Sequence, residues 1–209
     1  MFAQDYSKLD LNGGYLCHWS YWRPDPDQPD LEMPGLKQMT ITYIPAAPQE
    51  DCLCGSGKSY ADCCRANPYW YPICPDPGWQ GTSFSLVSIQ SAAFHNVNGP
   101  ALRERLMEDV RLHCTEDGHE RGFWTYWGDP ALKATPGIMC FGDFELKRGR
   151  ILLVTAMSDV RMRTLLDLLQ EVAGDLLQKP RIQYDPVTVI DKRTRKMRTL
   201  PAPRRAREK

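Results

Sequence analysis

The order of apolar and polar positions divides the chain into a short N-terminal β region, an irregular middle segment and a longer regular region. Aromatic and β-branched residues at 15–19 and 39–44 predict two strands, and the acidic, proline-rich stretch 23–30 predicts a long loop between them. Residues 45–81 contain six prolines, a density that no long helix or central strand tolerates. We therefore expect this middle segment to be built from loops.

Beyond Thr82 the apolar positions become regular and predict several strands. The predicted strands and hairpin arms are 84–94, 122–128, 138–144, 150–156 and 182–190. Gly149, between the two hairpin arms, can take the positive φ that a short turn requires. Pro186 interrupts the last strand, so we expect that strand at a sheet edge.

Two amphipathic stretches predict helices. Pro100 suits a first helical turn, and large apolar residues recur every four positions over 102–110, which predicts a helix ending near Cys114. Ser158 can cap a second helix, which ends before Pro180. The core-facing stripe of this second helix is Met162, Leu165, Leu166, Leu169, Val172, Ala173, Leu176 and Leu177.

Composition excludes several classes of protein. With 42% hydrophobic and 25% charged residues, the 209-residue chain can bury one ordinary core or two small ones, which excludes a collagen-like or fully disordered chain. No run approaches the roughly 20 apolar residues that span a bilayer, and the N-terminus lacks the basic and apolar regions of a signal peptide. We therefore expect a cytoplasmic protein with no membrane partner.

Eight cysteines in a chain of the reducing cytoplasm argue against disulfides and favour metal ligation. Four of them form two pairs that lie close together in the sequence. Cys52 and Cys54 are separated by one residue, and Cys63 and Cys64 are adjacent. Four thiolates match the closed tetrahedral set of one structural zinc ion, with zinc–sulfur bonds of about 2.3 Å. Because no position is left open for water, the metal is expected to support the fold rather than catalyse a reaction.

The residues among these cysteines suit such a site. Gly55 and Gly57 permit a tight turn whose N–H groups can point at the sulfurs, and Tyr60 can cover one side of the site. Four thiolates and one zinc ion carry a net charge of −2. Lys58 and Arg65 are near enough in the sequence to offset this charge.

The cysteine motif, residues 52–64, reads Cys-x-Cys-Gly-Ser-Gly-Lys-x-Tyr-x-x-Cys-Cys. It resembles the SEC-C motif, a zinc-binding module named after the carboxyl-terminal tail of the SecA translocase motor. The resemblance covers 13 of the 209 residues. It implies zinc ligation by the four cysteines of the motif, and a surface that binds a protein or a ribosome.

Other interpretations of this region are weaker. Gly57-Lys58-Ser59 matches the end of a phosphate-binding loop, but the first glycine of such a loop would fall at Cys52, and no apolar strand precedes it. We therefore expect no nucleotide cofactor. Cys74, ten residues beyond the motif, is either a spare ligand or an unliganded thiol.

A second group of metal-capable side chains follows the first predicted helix: His113, Cys114, Glu116, Asp117, His119 and Glu120. Their spacing matches no zinc template, and a helix C-terminus favours histidine without any metal. Because catalytic groups assemble in space rather than in sequence, a nucleophile–base pair such as Cys114 with His119 stays an open hypothesis.

The formal net charge is zero, but it is divided unevenly along the chain. Residues 191–209 carry nine basic and two acidic side chains, a net charge of +7, which leaves −7 for residues 1–190. Such an arm can be solvated, can fold back on the acidic body or can bind a polyanion. The candidate nucleic-acid-binding residues are Lys192, Arg193, Arg195, Lys196, Arg198, Arg204, Arg205 and Arg207.

Together these features predict an α+β protein in which a loop-built zinc knuckle, residues 46–81, is inserted between two parts. The first is a small N-terminal β element (1–45), and the second is a C-terminal body of strands and two helices (82–190), followed by a basic tail (191–209). We expect a non-catalytic, zinc-stabilised binding protein whose knuckle and tail contact a ribosome or another RNA-containing assembly. The alternatives are a protein-only adaptor or a chaperone-type interaction module, and an enzyme with an undetected site.

Overall fold

The computed structural model describes residues 9–23, 36–77, 83–118, 120–127, 133–134 and 137–202. These residues form three β-sheets and two α-helices, which confirms the predicted α+β class. The loop predicted at 23–30 lies outside the described residues beyond Arg23. Neither described helix has the length and the apolar run that crossing a bilayer requires.

The helices are α1 (Gly99–Glu108) and α2 (Asp159–Ala173). The strands, in chain order, are β1 (Gly14–Arg23), β2 (Leu36–Pro45), β3 (Tyr69–Trp70), β4 (Ile73–Pro75), β5 (Phe84–Leu86), β6 (Gln90–His95), β7 (Leu112–Asp117), β8 (Arg121–Tyr126), β9 (Lys133–Ala134), β10 (Gly137–Met139), β11 (Gly142–Lys147), β12 (Ile151–Ala156), β13 (Arg181–Tyr184), β14 (Val187–Asp191) and β15 (Lys196–Leu200).

The first sheet is organised around β1. This strand pairs with β2 along its whole length, from Gly14 opposite Pro45 to Arg23 opposite Leu36. Along its other edge, β1 pairs with β4 in parallel and with β10 antiparallel, and β5 and β9 extend these two branches. Both predicted N-terminal strands are therefore present, and they share one sheet with strands from the knuckle and from the later chain.

The second sheet is antiparallel throughout, in the order β13-β6-β12-β11-β8-β7. On β6, β11 and β12 every second residue is buried, which is typical of a sheet with one covered face. Both helices contribute to the core on that face, which includes Phe94, Leu102, Leu106, Trp124, Phe144, Leu152, Val154, Leu165 and Leu169. Strand β8 accounts for most of the strand predicted at 122–128, and Gly128 lies outside the described residues.

The predicted hairpin is formed by β11 and β12. Its two turn residues, Arg148 and Gly149, have φ values of 53° and 62°, the positive pair that a type I′ turn requires. The N–H of Arg150 donates to the carbonyl of Lys147 across this turn (3.2 Å). Residues 138–139 were predicted in the first arm but lie in β10 of the first sheet.

Helix α1 ends at Glu108, so the prediction that it continues to near Cys114 is wrong. The backbone of Asp109 is extended, and its carboxylate accepts the N–H of Arg111 (2.9 Å) and pairs with the guanidinium of the same residue (2.6 Å). The chain then enters β7, which contains Cys114 and pairs with β8. As a consequence Val110, the last apolar residue of the predicted helix face, lies outside α1 and is 75% exposed.

Helix α2 begins as predicted, because the hydroxyl of Ser158 accepts the N–H of Arg161 (3.2 Å) and so caps the first turn. The helix ends at Ala173, one turn earlier than its apolar stripe predicts, and Gly174–Leu176 forms a 3₁₀ turn. Glycine is a poor helix former, which favours the change at this point. The last two leucines of the predicted stripe still pack, partly buried, against the main core.

Two stretches predicted as single strands are each divided between two sheets. Residues 84–94 form β5 in the first sheet and β6 in the second, and between them the N–H of Val87 donates to the carbonyl of Pro72 (2.9 Å). Residues 182–190 contribute to β13, at an edge of the second sheet as expected, and to β14, in the middle of the third. Pro186 lies at the break between them.

The third sheet has the order β15-β14-β3 and brings the C-terminal part of the chain onto the knuckle. Its register places Ile190 opposite Trp70 and Asp191 opposite Tyr69. We call residues 187–200, which comprise β14, its turn and β15, the C-terminal hairpin. The boundary that the sequence suggested between a body ending at 190 and a tail beginning at 191 falls inside this hairpin.

Arg161 joins α2 to the first sheet from inside the core. Its side chain is 1% exposed, and Nε and Nη2 donate to the carbonyl of Pro75 (2.8 and 2.6 Å). Its Nη1 donates to the carbonyl of Cys140 (3.3 Å), and the guanidinium lies 5.2 Å from the centroid of the Phe141 ring. A buried charge is costly unless its donors are satisfied, so these carbonyls hold α2 against β4.

The substitution Arg161→Met should lower the free energy of unfolding by about 3 kcal/mol, because two buried carbonyls lose their donor. Urea denaturation followed by tryptophan fluorescence measures the change. Arg163→Met, at an exposed position of the same helix, is the matched control and should stay within about 0.5 kcal/mol of the parent. Equal stability of the two variants would contradict the role assigned to Arg161.

Candidate metal centre

The first two motif cysteines lie on a tight loop closed at both ends. An isolated β-bridge joins Asp51 and Ser59, and inside it the N–H of Cys52 donates to the carbonyl of Lys58 (2.8 Å). The chain reverses within this loop through two glycines with positive φ, which have values of 77° at position 55 and 70° at position 57. Residues with side chains rarely adopt this backbone conformation, so the loop depends on glycine at both positions.

The second two motif cysteines lie on a single π-helical turn, Ala61–Arg65. The N–H of Arg65 donates to the carbonyl of Tyr60 (3.0 Å), the wide bond of such a turn. Ser59, just before the turn, is hydrogen-bonded to its first residues, because its hydroxyl accepts the N–H of Asp62 (3.2 Å) and donates to the Asp62 carboxylate (2.7 Å). The turn brings Cys63 and Cys64 beside the loop that carries the other pair.

The geometry of the four thiols fits one tetrahedral metal ion. All four Sγ atoms lie within 4.8 Å of one another, and those of Cys54 and Cys63 are 3.5 Å apart. A tetrahedral zinc–thiolate centre with bonds of about 2.3 Å separates its sulfurs by about 3.8 Å. The cysteines are not joined by disulfides. Zinc would therefore be held here by four thiolates, where it stabilises the fold and offers no open position for substrate.

Burial and hydrogen bonding act in opposite directions on the thiols. Burial disfavours the thiolate of Cys52, but hydrogen bonds from the Tyr15 hydroxyl and from the N–H groups of Cys54 and Cys64 outweigh it and lower the Cys52 pKa to about 6. Burial raises the pKa of Cys54 and of Cys64. Because zinc binds thiolates, loading the site displaces protons from the thiols that are still neutral.

Two tyrosines connect the site to β1. The hydroxyl of Tyr15 donates to the Sγ of Cys52 (3.2 Å) and accepts the N–H of Leu53 (3.0 Å). The Tyr60 ring packs against that of Tyr15, with centroids 4.9 Å apart, and its hydroxyl donates to the carbonyl of Gly14 (3.0 Å). Tyr60 was singled out in the sequence, whereas Tyr15 was missed because it lies 37 residues before Cys52 and matches no motif.

A lysine from the far end of the chain reaches the second cysteine pair. The Nζ of Lys192 donates to the carbonyls of Cys64 (2.7 Å) and Arg65 (2.8 Å). In the sequence Lys192 was a candidate for binding nucleic acid, and its proximity to the metal site was not foreseen. That Lys58 offsets the negative charge of the zinc–thiolate centre stays a prediction. The Lys58 side chain is exposed, and the hydrogen bonds described for this residue are made by its backbone N–H and carbonyl.

Other candidate residues lie elsewhere. Cys74 is fully buried and does not belong to the four-thiol cluster. His113 stacks on Trp127, with ring centroids 4.6 Å apart, and burial raises the pKa of Cys114, which disfavours its thiolate. His119 lies outside the described residues. Among the described residues, one cluster of three or more metal-capable side chains is close enough together to hold an ion, and it consists of the four motif thiols.

The basic residues of the predicted tail divide into three sets. Three are engaged within the protein, since Lys192 donates to the carbonyls of Cys64 and Arg65, Arg198 pairs with Asp191 (3.0 Å) and Arg195 donates to the carbonyl of Leu9 (3.1 Å). Arg193 and Lys196 are exposed, in and beside the turn of the C-terminal hairpin. The last set, Arg204, Arg205, Arg207 and Lys209, lies outside the described residues.

Comparison with known proteins identifies the motif and little beyond it. The family model described as the SEC-C motif matches residues 50–66, which confirms the resemblance over this partial segment of the chain. No curated protein and no solved structure matches the chain. The matched motif and the four-thiol cluster are together consistent with one structural zinc ion, as predicted.

We expect purified, reduced protein to contain one zinc ion per chain, and the double variant Cys63→Ser with Cys64→Ser to contain none, because two of four ligands are lost. Elemental analysis measures the metal content. Cys114→Ser, at a half-buried thiol outside the cluster, is the control and should retain the metal. Absence of zinc from fresh parent protein would refute the site.

Proposed function

We propose that the protein is a non-catalytic, zinc-stabilised binding protein whose knuckle and C-terminal hairpin contact an RNA-containing partner such as a ribosome. The four-thiol centre supports a non-catalytic role, because a metal held by four cysteines has no position for water or substrate. The metal then serves to hold a surface in shape.

The observation that carries the proposal is the attachment of the basic hairpin to the metal-binding turn. The Lys192 ammonium binds the carbonyl of Arg65, so the side chain of Arg65 and the turn of the hairpin lie in the same region of the molecule. Arg65, Arg193 and Lys196 are exposed, and among the described residues none of the three is ion-paired. Exposed cations on two segments that are in contact favour a polyanion such as the phosphate backbone of RNA.

A protein-only adaptor is the second candidate, and a separate observation favours it. Arg198 and Arg195 are engaged with Asp191 and with the carbonyl of Leu9, so part of the positive charge is already used within the protein. A surface with fewer available cations suits a protein partner better than a nucleic acid. Deleting residues 191–209 cannot separate the two candidates, because it would remove β15 and part of β14.

Surface substitutions test the RNA hypothesis without disturbing the hairpin. We expect the double variant Arg193→Ala with Lys196→Ala to bind a short single-stranded RNA more weakly than the parent does. If each cation contacts one phosphate, the slope of log affinity against log salt concentration should become shallower by about 1.4. Fluorescence anisotropy over a salt series measures both quantities.

The control is Arg163→Ala with Arg181→Ala, which makes the same charge change at exposed positions on α2 and β13. Its RNA affinity and salt slope should match those of the parent. If parent protein that contains zinc shows no RNA binding at low salt, or if the two double variants lose affinity equally, the RNA hypothesis fails and the adaptor hypothesis gains.

A further inference from the structure

Lys192 occupies a position that joins two segments far apart in the sequence. Its Nζ donates to the carbonyls of Cys64 (2.7 Å) and Arg65 (2.8 Å), at the C-terminal end of the turn that carries Cys63 and Cys64. Carbonyls at the end of a helical turn have no partner within the turn, so an ammonium placed there satisfies two acceptors at once. This contact joins residues 128 positions apart.

The backbone around Lys192 strengthens the connection. Its own N–H donates to the carbonyl of Pro68 (3.0 Å), and the preceding residues of β14 pair with β3. Ile190 is buried in one apolar cluster with Trp70 and Leu16. The C-terminal hairpin is thus fastened to the segment that directly follows the motif thiols, while Lys192 contacts the turn that carries two of them.

Charge gives this contact a dependence on the metal. Four thiolates around one zinc ion carry a net charge of −2, and a partly buried ammonium hydrogen-bonded to the backbone of one ligand residue stabilises that charge. Without the metal, the turn loses the cross-link that fixes its position, and the two carbonyls lose their fixed relation to Lys192. Coupling of this kind is reciprocal: if zinc binding stabilises the ordered hairpin, the ordered hairpin stabilises zinc binding by the same free energy.

We propose that Lys192 is a positioning residue for the metal centre, through which zinc occupancy and the order of the C-terminal hairpin stabilise each other. Zinc would then control whether the exposed cations Arg193 and Lys196 are presented on an ordered surface. The inference rests on the four-thiol site and not on the identity of any partner. It therefore stands or fails separately from RNA binding.

Zinc affinity tests the first half of the proposal. Competition against a chromophoric chelator should show that Lys192→Met binds zinc about 10-fold to 100-fold more weakly than the parent, the usual cost of losing a partner of a metal ligand. Lys192→Arg keeps the charge and the donors and should recover most of the affinity. Lys179→Met removes the same charge from an exposed site that has no role in metal or RNA binding, and should match the parent. Parent-like zinc affinity in Lys192→Met would overturn the proposal.

Amide hydrogen exchange on the parent protein tests the second half, the coupling of zinc to the hairpin, without any substitution, so it can be read even if Lys192→Met fails to fold. Removal of zinc by a chelator should reduce the protection of the amides of residues 187–200. The amides of β11 and β12 provide the internal reference, because those strands lie in another sheet, and their protection should be retained. Equal protection of the hairpin with and without zinc would overturn the coupling.

Discussion

The placement of four thiols within reach of one ion is the constraint on which the knuckle depends. The apolar cluster beside the site contains only a few fully buried side chains, and two of them, Tyr15 and Cys17, come from β1 rather than from the knuckle. The knuckle itself is formed by turns, short strands and prolines that build no apolar core of their own, since its buried side chains Tyr60, Trp70 and Ile73 lie in clusters shared with other segments. A metal ion replaces the missing core in such segments, since metal binding and folding are then the same event.

The metal site is also where β1 and the C-terminal hairpin come close to the knuckle. Tyr15 and the carbonyl of Gly14 connect it to β1, and Lys192 connects it to the C-terminal hairpin. The Nε1 of Trp70 donates to the same Gly14 carbonyl (2.8 Å), so β3 is fixed to β1 as well as to β14. These contacts converge on residues next to the ligands and therefore attach the metal-binding turn and loop to β1 and to the C-terminal hairpin.

Features that depend on neighbouring residues could be predicted from the sequence, whereas contacts between residues far apart in the sequence could not. The four ligands, the hairpin turn at Gly149 and the cap at Ser158 follow from residues close together in the sequence, and the structure contains all three. The apolar pattern did not reveal that 84–94 and 182–190 are each divided between two sheets. An apolar stretch predicts a buried strand but not the sheet to which that strand belongs. The roles of Tyr15, Arg161 and Lys192 depend on hydrogen-bond partners 21 to 128 residues away.

X-ray absorption at the zinc edge of purified, reduced protein determines directly whether these four thiolates hold the ion. We expect a coordination sphere of four sulfur atoms at about 2.3 Å and no lighter neighbour. Such a spectrum would establish a closed structural site in which neither water nor substrate reaches the metal. A sphere that contains nitrogen or oxygen, or fewer than four sulfurs, would contradict both the ligand set and the non-catalytic role inferred from it.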